Sequence, residues 1–106
     1  TLPETTPVNE LVETAFALEE EVGVQLAPLV INSVEEHGVL TIPQSLNPQS
    51  GLVQAAQFHN SRVRLQTQEI ARLSQNLALP TLTLPFLSAM RCEIITATLL
   101  DQIRLL

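Results

Sequence analysis

Apolar and polar positions alternate along this chain with two different periods, and the switches between them divide it into elements. Val8, Leu11, Val12, Ala15, Leu18 and Val22 recur at helical spacing and predict an amphipathic helix over residues 7–22. Thr6 is placed to cap it, Pro7 suits the first helical position, and Gly23 supplies the stop. Gln25-Leu26-Ala27-Pro28-Leu29-Val30-Ile31-Asn32 follows, and its short continuous apolar run ends in a polar amide. Such a run suits a strand over 26–32 buried on both faces, as in a parallel sheet covered by helices. A buried helix can show the same run, but Pro28 and the shortness of the stretch favour the strand.

Residues 33–51 carry His37, Gly38, Pro43, Pro48 and Gly51 among polar neighbours and predict a long loop, of the kind that is usually functional or mobile. From Leu52 to Asn76 there is no Pro or Gly, which predicts a long helix. Val63, Ile70, Leu73 and Leu77 mark its buried side, with Arg62, Glu69 and Arg72 expected in solvent. Leu79 to Pro85 alternates apolar and polar residues and reads as a strand near a sheet edge, given its prolines. Residues 92–106 form a terminal helix with Ile94, Ile95, Leu99, Ile103 and Leu106 as its apolar set.

The fold class is therefore α/β, with two or three strands and three main helices. The order helix, Gly-containing turn, strand is the second half of a β-α-β unit whose first strand would end at Leu2. The opening Thr1-Leu2-Pro3-Glu4, without an initiator Met, reads as a chain that continues upstream.

Charge removes several partners. The formal net charge is −6, and all five basic residues are arginines. Nonspecific nucleic-acid binding needs a basic surface, and there is no Trp or Tyr for base stacking. An anionic membrane surface is disfavoured for the same reason. No apolar run approaches the roughly 18–20 residues that span a bilayer. Glu19-Glu20-Glu21 reads as a solvated face. The single Cys92 excludes an internal disulfide, and the composition fits a cytoplasmic setting.

Catalytic chemistry is thin. A phosphate-binding loop needs clustered glycines and a lysine, whereas the glycines here stand at 23, 38 and 51 and there is no lysine. His37 and His59 suggest no catalytic triad and read as surface or packing residues. Cys92 reads as a small, partly buried apolar residue. Three positions do converge: in a parallel sheet Glu4, Asn32 and Pro85-Phe86 would all follow strand carboxyl ends on one edge. There an amide can read a base, and a Pro-Phe pair can cover its face. The plainer alternative makes Asn32 a turn residue and Phe86 part of the core.

Pro3-Glu4-Thr5-Thr6-Pro7-Val8-Asn9-Glu10, the helix after it, Leu29-Val30-Ile31-Asn32 and Leu82-Thr83-Leu84-Pro85-Phe86 resemble the C-terminal part of the anion-transporting ATPases. That family includes the arsenite-efflux pump ATPase and the ATPase that targets tail-anchored membrane proteins. The resemblance covers nearly the whole chain but only the last part of a family member. It implies the C-terminal part of a mostly parallel, helix-covered P-loop sheet, in a dimeric hydrolase that uses ATP with Mg. Asn32 matches the asparagine that contacts adenine, and Pro85 and Phe86 match the loop that packs on the base. Glu4 matches a glutamate near the dimer interface, beside the nucleotide and the partner's signature lysine, and Glu10 an acid of structural role. The implied partners are the remainder of the ATPase chain or a second subunit, in a homo- or heterodimer, and a membrane protein handled by the whole ATPase. The family's paired cysteines are absent, since Cys92 stands alone, and the P-loop, switches and catalytic aspartate would lie upstream. The other expectation the residues support is a stand-alone, non-enzymatic helical module that self-associates or binds a protein partner.

Overall fold

A computed structural model of the chain describes residues 1–87 and 92–105. Its elements run α1 (Thr5–Ala17), a π-helical turn (Leu18–Val22), β1 (Leu29–Val34), α2 (Gly51–Asn76), β2 (Thr81–Pro85) and α3 (Cys92–Arg104). The two strands pair in parallel, with Leu29 opposite Thr81 and Ile31 opposite Thr83, and α2 is the crossover between them. On the other side of β1, Thr1 donates its α-amino group to Val30 O at 2.8 Å and accepts from Asn32 N at 2.8 Å. A residue that bonds on both sides of its opposite number in this way is paired as in a parallel ladder, so Thr1 brackets Ile31. The mixed α/β class and the parallel arrangement are as expected. The described sheet has two strands, with Thr1 alongside.

The core lies where α1, α2 and one face of β1 meet. Val8 and Ala15 of α1, Leu29 and Ile31 of β1, Leu73 of α2 and the following Leu77 form it, with Leu11, Val12, Ile70 and Leu79 packed around. Leu29 and Ile31 alternate with Val30, which is 42% exposed, and with exposed Asn32. The expectation of a strand buried on both faces is thus corrected: helices α1 and α2 cover one face of β1, and the residues between stand open.

Other boundaries move for identifiable reasons. The first helix begins at Thr5 rather than at Pro7, with Glu4 as its N-cap, and no side-chain cap bond is made. Thr6 and Pro7 therefore lie inside the first turn. Its last turn widens into a π-helix, which Gly23 closes in the left-handed region at φ 72. That wider turn shifts the phase of the apolar stripe, leaving Leu18 and Val22 exposed although their spacing marks them as core. The strand predicted over 26–32 runs instead from Leu29 to Val34, past a register irregularity between Ile31 and Val34. Ser33 sits in the irregularity at φ 60, and Asn32 Oδ1 accepts its N–H at 2.8 Å. Asn32 therefore lies within the strand, not beyond its end.

The long helix is close to expectation, starting at Gly51 with Ser50 as N-cap, whose hydroxyl accepts from Val53 N. The second strand is shorter than the predicted 79–85, because Leu79 and Pro80 precede the paired segment. The terminal helix ends at Arg104, and none of its residues is buried; Ile94 is 48% and Ile103 49% exposed. Its predicted apolar set therefore does not form core, and Leu106 lies outside the described residues. Cys92 is exposed rather than partly buried.

One polar expectation is reversed. Glu69 is only 3% exposed, not solvated, and Arg72 is partly covered. Arg72 donates Nε–H to Glu69 at 2.9 Å and a second hydrogen bond to Asn9 of α1 at 2.6 Å. Thr5 of α1 donates its hydroxyl to the other Glu69 oxygen at 3.2 Å. The charged pair thus fastens α1 to α2 beside the apolar core, where an unpaired carboxylate would carry a desolvation cost.

Candidate functional site at the carboxyl ends of the strands

The exit from β1 is held by side chains of α2. Gln66, 5% exposed, accepts from Glu35 N at 2.9 Å and donates to Ser33 O at 3.2 Å, so its amide brackets Val34 as a neighbouring strand would. Six residues earlier, Asn60 does the same to Leu40, accepting from its N–H at 2.7 Å and donating to its carbonyl at 2.9 Å. His59 places Nε2 3.1 Å from Gly38 O. The segment between β1 and α2, expected as a long loop of a functional or mobile kind, is tied by these bonds along the first half of α2. His59 has a packing role and His37 is exposed, as their sequence context suggested.

Beside this clamp the two strand ends meet. Phe86, the residue after β2, donates its N–H to Val34 O at 2.9 Å. The next residue on that side, Glu35, pairs with Arg62 Nε of α2 at 3.4 Å. The Arg62 guanidinium lies over the Phe86 ring, 5.2 Å from its centroid, within cation–π range. Val34, Glu35, Arg62 and Phe86 therefore close a ring of contacts that joins β1, α2 and β2. Phe86 is 43% exposed, so it is neither fully packed nor free.

The residues singled out from the sequence are distributed around this ring. Glu4 lines a cavity of about 440 Å³ with Thr5, Pro7, Phe58, Arg62 and Gln66. Asn32 lines a second, of about 510 Å³, with Thr1, Pro7, Glu10, Leu11 and Thr14. Pro85 lines a third, of about 220 Å³, with Val34, Glu35, Glu36, Thr83 and Gln102. The three do not share one cavity, but the cavities adjoin. Pro7 borders the first two, and the Arg62–Glu35 pair stands between the first and the third. Arg62, expected in solvent, instead pairs with Glu35 and lies over the Phe86 ring. The only signal for it was an arginine opposite an acidic turn, and the pairing depends on a contact across 27 positions.

This end of the sheet presents an amide and an aromatic ring that are both partly or wholly exposed. The exposed Asn32 amide has Oδ1 engaged by Ser33 N–H, and among the described residues its NH₂ has no acceptor. The Phe86 ring offers a stacking face. The chain has no lysine, and among the described residues no group of three or more His, Cys, Asp or Glu could hold a metal. Among the same residues no helix is long and apolar enough to cross a membrane.

The fold and site define a mixed α/β protein with a parallel β-α-β core and a polar, aromatic-flanked strand end. No family model, no curated protein and no solved structure matches the chain.

Proposed function

We propose that this chain is the C-terminal, adenine-side part of an anion-transporting-type P-loop ATPase. Asn32, Pro85 and Phe86 meet the base, and Glu4 lies at the dimer edge near the nucleotide. The phosphates and Mg are held by residues outside this chain, and ATP hydrolysis drives transport or protein targeting in the cytoplasm. The observation that carries this reading is the parallel frame of Thr1, β1 and β2. In it Asn32 lies two residues before the carboxyl end of β1 and Phe86 directly follows the neighbouring parallel β2, near the side where α/β sheets bind ligands. The missing lysine agrees with a division of the nucleotide site between this chain and a preceding segment.

The test has two parts. The coding sequence upstream of Thr1 should contain a GKGG-type loop, and a gene lacking one counts decisively against the reading. In the intact polypeptide, Asn32→Ala should weaken ATP binding about five- to tenfold, the equivalent of one lost hydrogen bond. An unchanged affinity would remove Asn32 from the site.

A second reading is favoured by α3. Its exposed Ile94, Leu100 and Ile103 suit a non-enzymatic module that self-associates or binds a protein partner through this helix. Sedimentation over a range of concentrations separates the two. Concentration-dependent association that Ile94→Asp abolishes, with no response to ATP, supports the module.

A further inference from the structure

We infer that Arg62 is a positioning residue for a planar aromatic base, acting through Phe86; this rests on the nucleotide reading above. An aromatic ring has two faces. On Phe86 one is taken by the Arg62 guanidinium at 5.2 Å, and the residue is 43% exposed; a base would take the other. Phe86 follows β2 directly, and its backbone N–H donates to Val34 O. Arg62 lies over its ring, 5.2 Å from the centroid, and bears on the ring's orientation from that side.

The guanidinium is itself held. Its Nε is 3.4 Å from the Glu35 carboxylate, and the Glu35 backbone N–H is fixed by Gln66 one turn further along the same helix. Position is thus relayed from the rigid helix α2 through Arg62 to the ring. The ion pair is partly solvated, so its contribution is orientation more than stability. A guanidinium over one face also polarises the ring, and stacking of a base on the opposite face then makes a three-layer arrangement of cation, ring and base. Lysine, lacking the planar group, reproduces the charge but not the stacked plane.

The experiment compares ligands with and without a base in the intact polypeptide encoded by the gene. ATP and inorganic tripolyphosphate are titrated into the wild type, Arg62→Ala, Arg62→Lys and Glu35→Gln, with the far-UV spectrum and unfolding midpoint checking that each variant folds. Arg62→Ala should weaken ATP about two- to fivefold, the range of an exposed cation–π contact, and leave tripolyphosphate unchanged. Arg62→Lys should recover part of the loss, and Glu35→Gln should fall between. A folded Arg62→Ala protein that binds ATP as the wild type does, or loses tripolyphosphate equally, overturns the positioning role while leaving the Asn32 assignment standing. A wild type that binds ATP no better than tripolyphosphate overturns the nucleotide reading and this inference together.

Discussion

Arg72 of α2 and Asn9 of α1 are joined by a 2.6 Å hydrogen bond, from a guanidinium that also neutralises Glu69 one turn away on its own helix. Removing the cation leaves a carboxylate that is 3% exposed without its partner. Arg72→Ala should therefore destabilise the protein by about 2 kcal/mol, below the value for a fully buried pair because Arg72 is itself partly solvated. Urea unfolding measures it. Replacing both residues by leucine should recover most of the loss, since the stranded charge goes with its partner.

Gln66 holds the backbone on both sides of Val34 through one amide. Gln66→Ala leaves the Ser33 carbonyl and the Glu35 amide short of a partner at a partly buried position, at a cost of about 1–3 kcal/mol. The local readout is hydrogen exchange at Glu35 N–H, which should quicken more than exchange at Ile31. Equal protection at Glu35 in the variant would mean that the clamp contributes nothing.

Gly23 ends the first helix with φ 72, and a Cβ there would meet no atom within 4 Å. Gly23→Ala thus isolates backbone strain from packing. It should lower stability by about 1 kcal/mol, read as a reduced urea midpoint with unchanged slope.

Leu73 is 1% exposed at the contact of α1, β1 and α2. Leu73→Ala should cost about 2–5 kcal/mol through lost burial and the cavity left behind. Ile103→Glu, on the exposed side of α3, should stay within about 0.5 kcal/mol of the wild type. A large loss on Ile103→Glu would show that α3 is covered in solution.

Much of the scaffold could be read from the residues. The Pro- and Gly-free stretch gave α2, Gly23 gave the helix stop, and the order of elements gave the parallel class. These are local signals, set by dihedral preference and by periodicity. The polar framework was not legible. Glu69 looks solvated in Gln68-Glu69-Ile70-Ala71-Arg72, and only the approach of Thr5 and Asn9 from α1 buries it. Asn60 and Gln66 look like ordinary helix-surface amides until a distant segment is laid across them. The exposed faces were misread because hydrophobicity marks what could be buried, while coverage depends on how many layers the fold supplies. Val30 is 42% and Ile94 48% exposed, although both are apolar. At the candidate site, Asn32 and Phe86 were named from the sequence, but the contact that orients Phe86 was not, because Arg62 and Glu35 meet only after the crossover is made.

The two amide clamps on α2 have a dynamic consequence. The half of the helix before Asn60 is fastened to residues 38–40, whereas the half from Gln66 onward packs with β1 and α1. One continuous helix should therefore open in two units with different free energies, which hydrogen exchange measures. Slow exchange should run from Gln66 to Leu77, and a faster, partly independent opening should release the start of α2 together with the segment it holds. The strand end, with Glu35, Arg62 and Phe86, lies at the border between them. Local unfolding can loosen that border while the core beneath it stays closed.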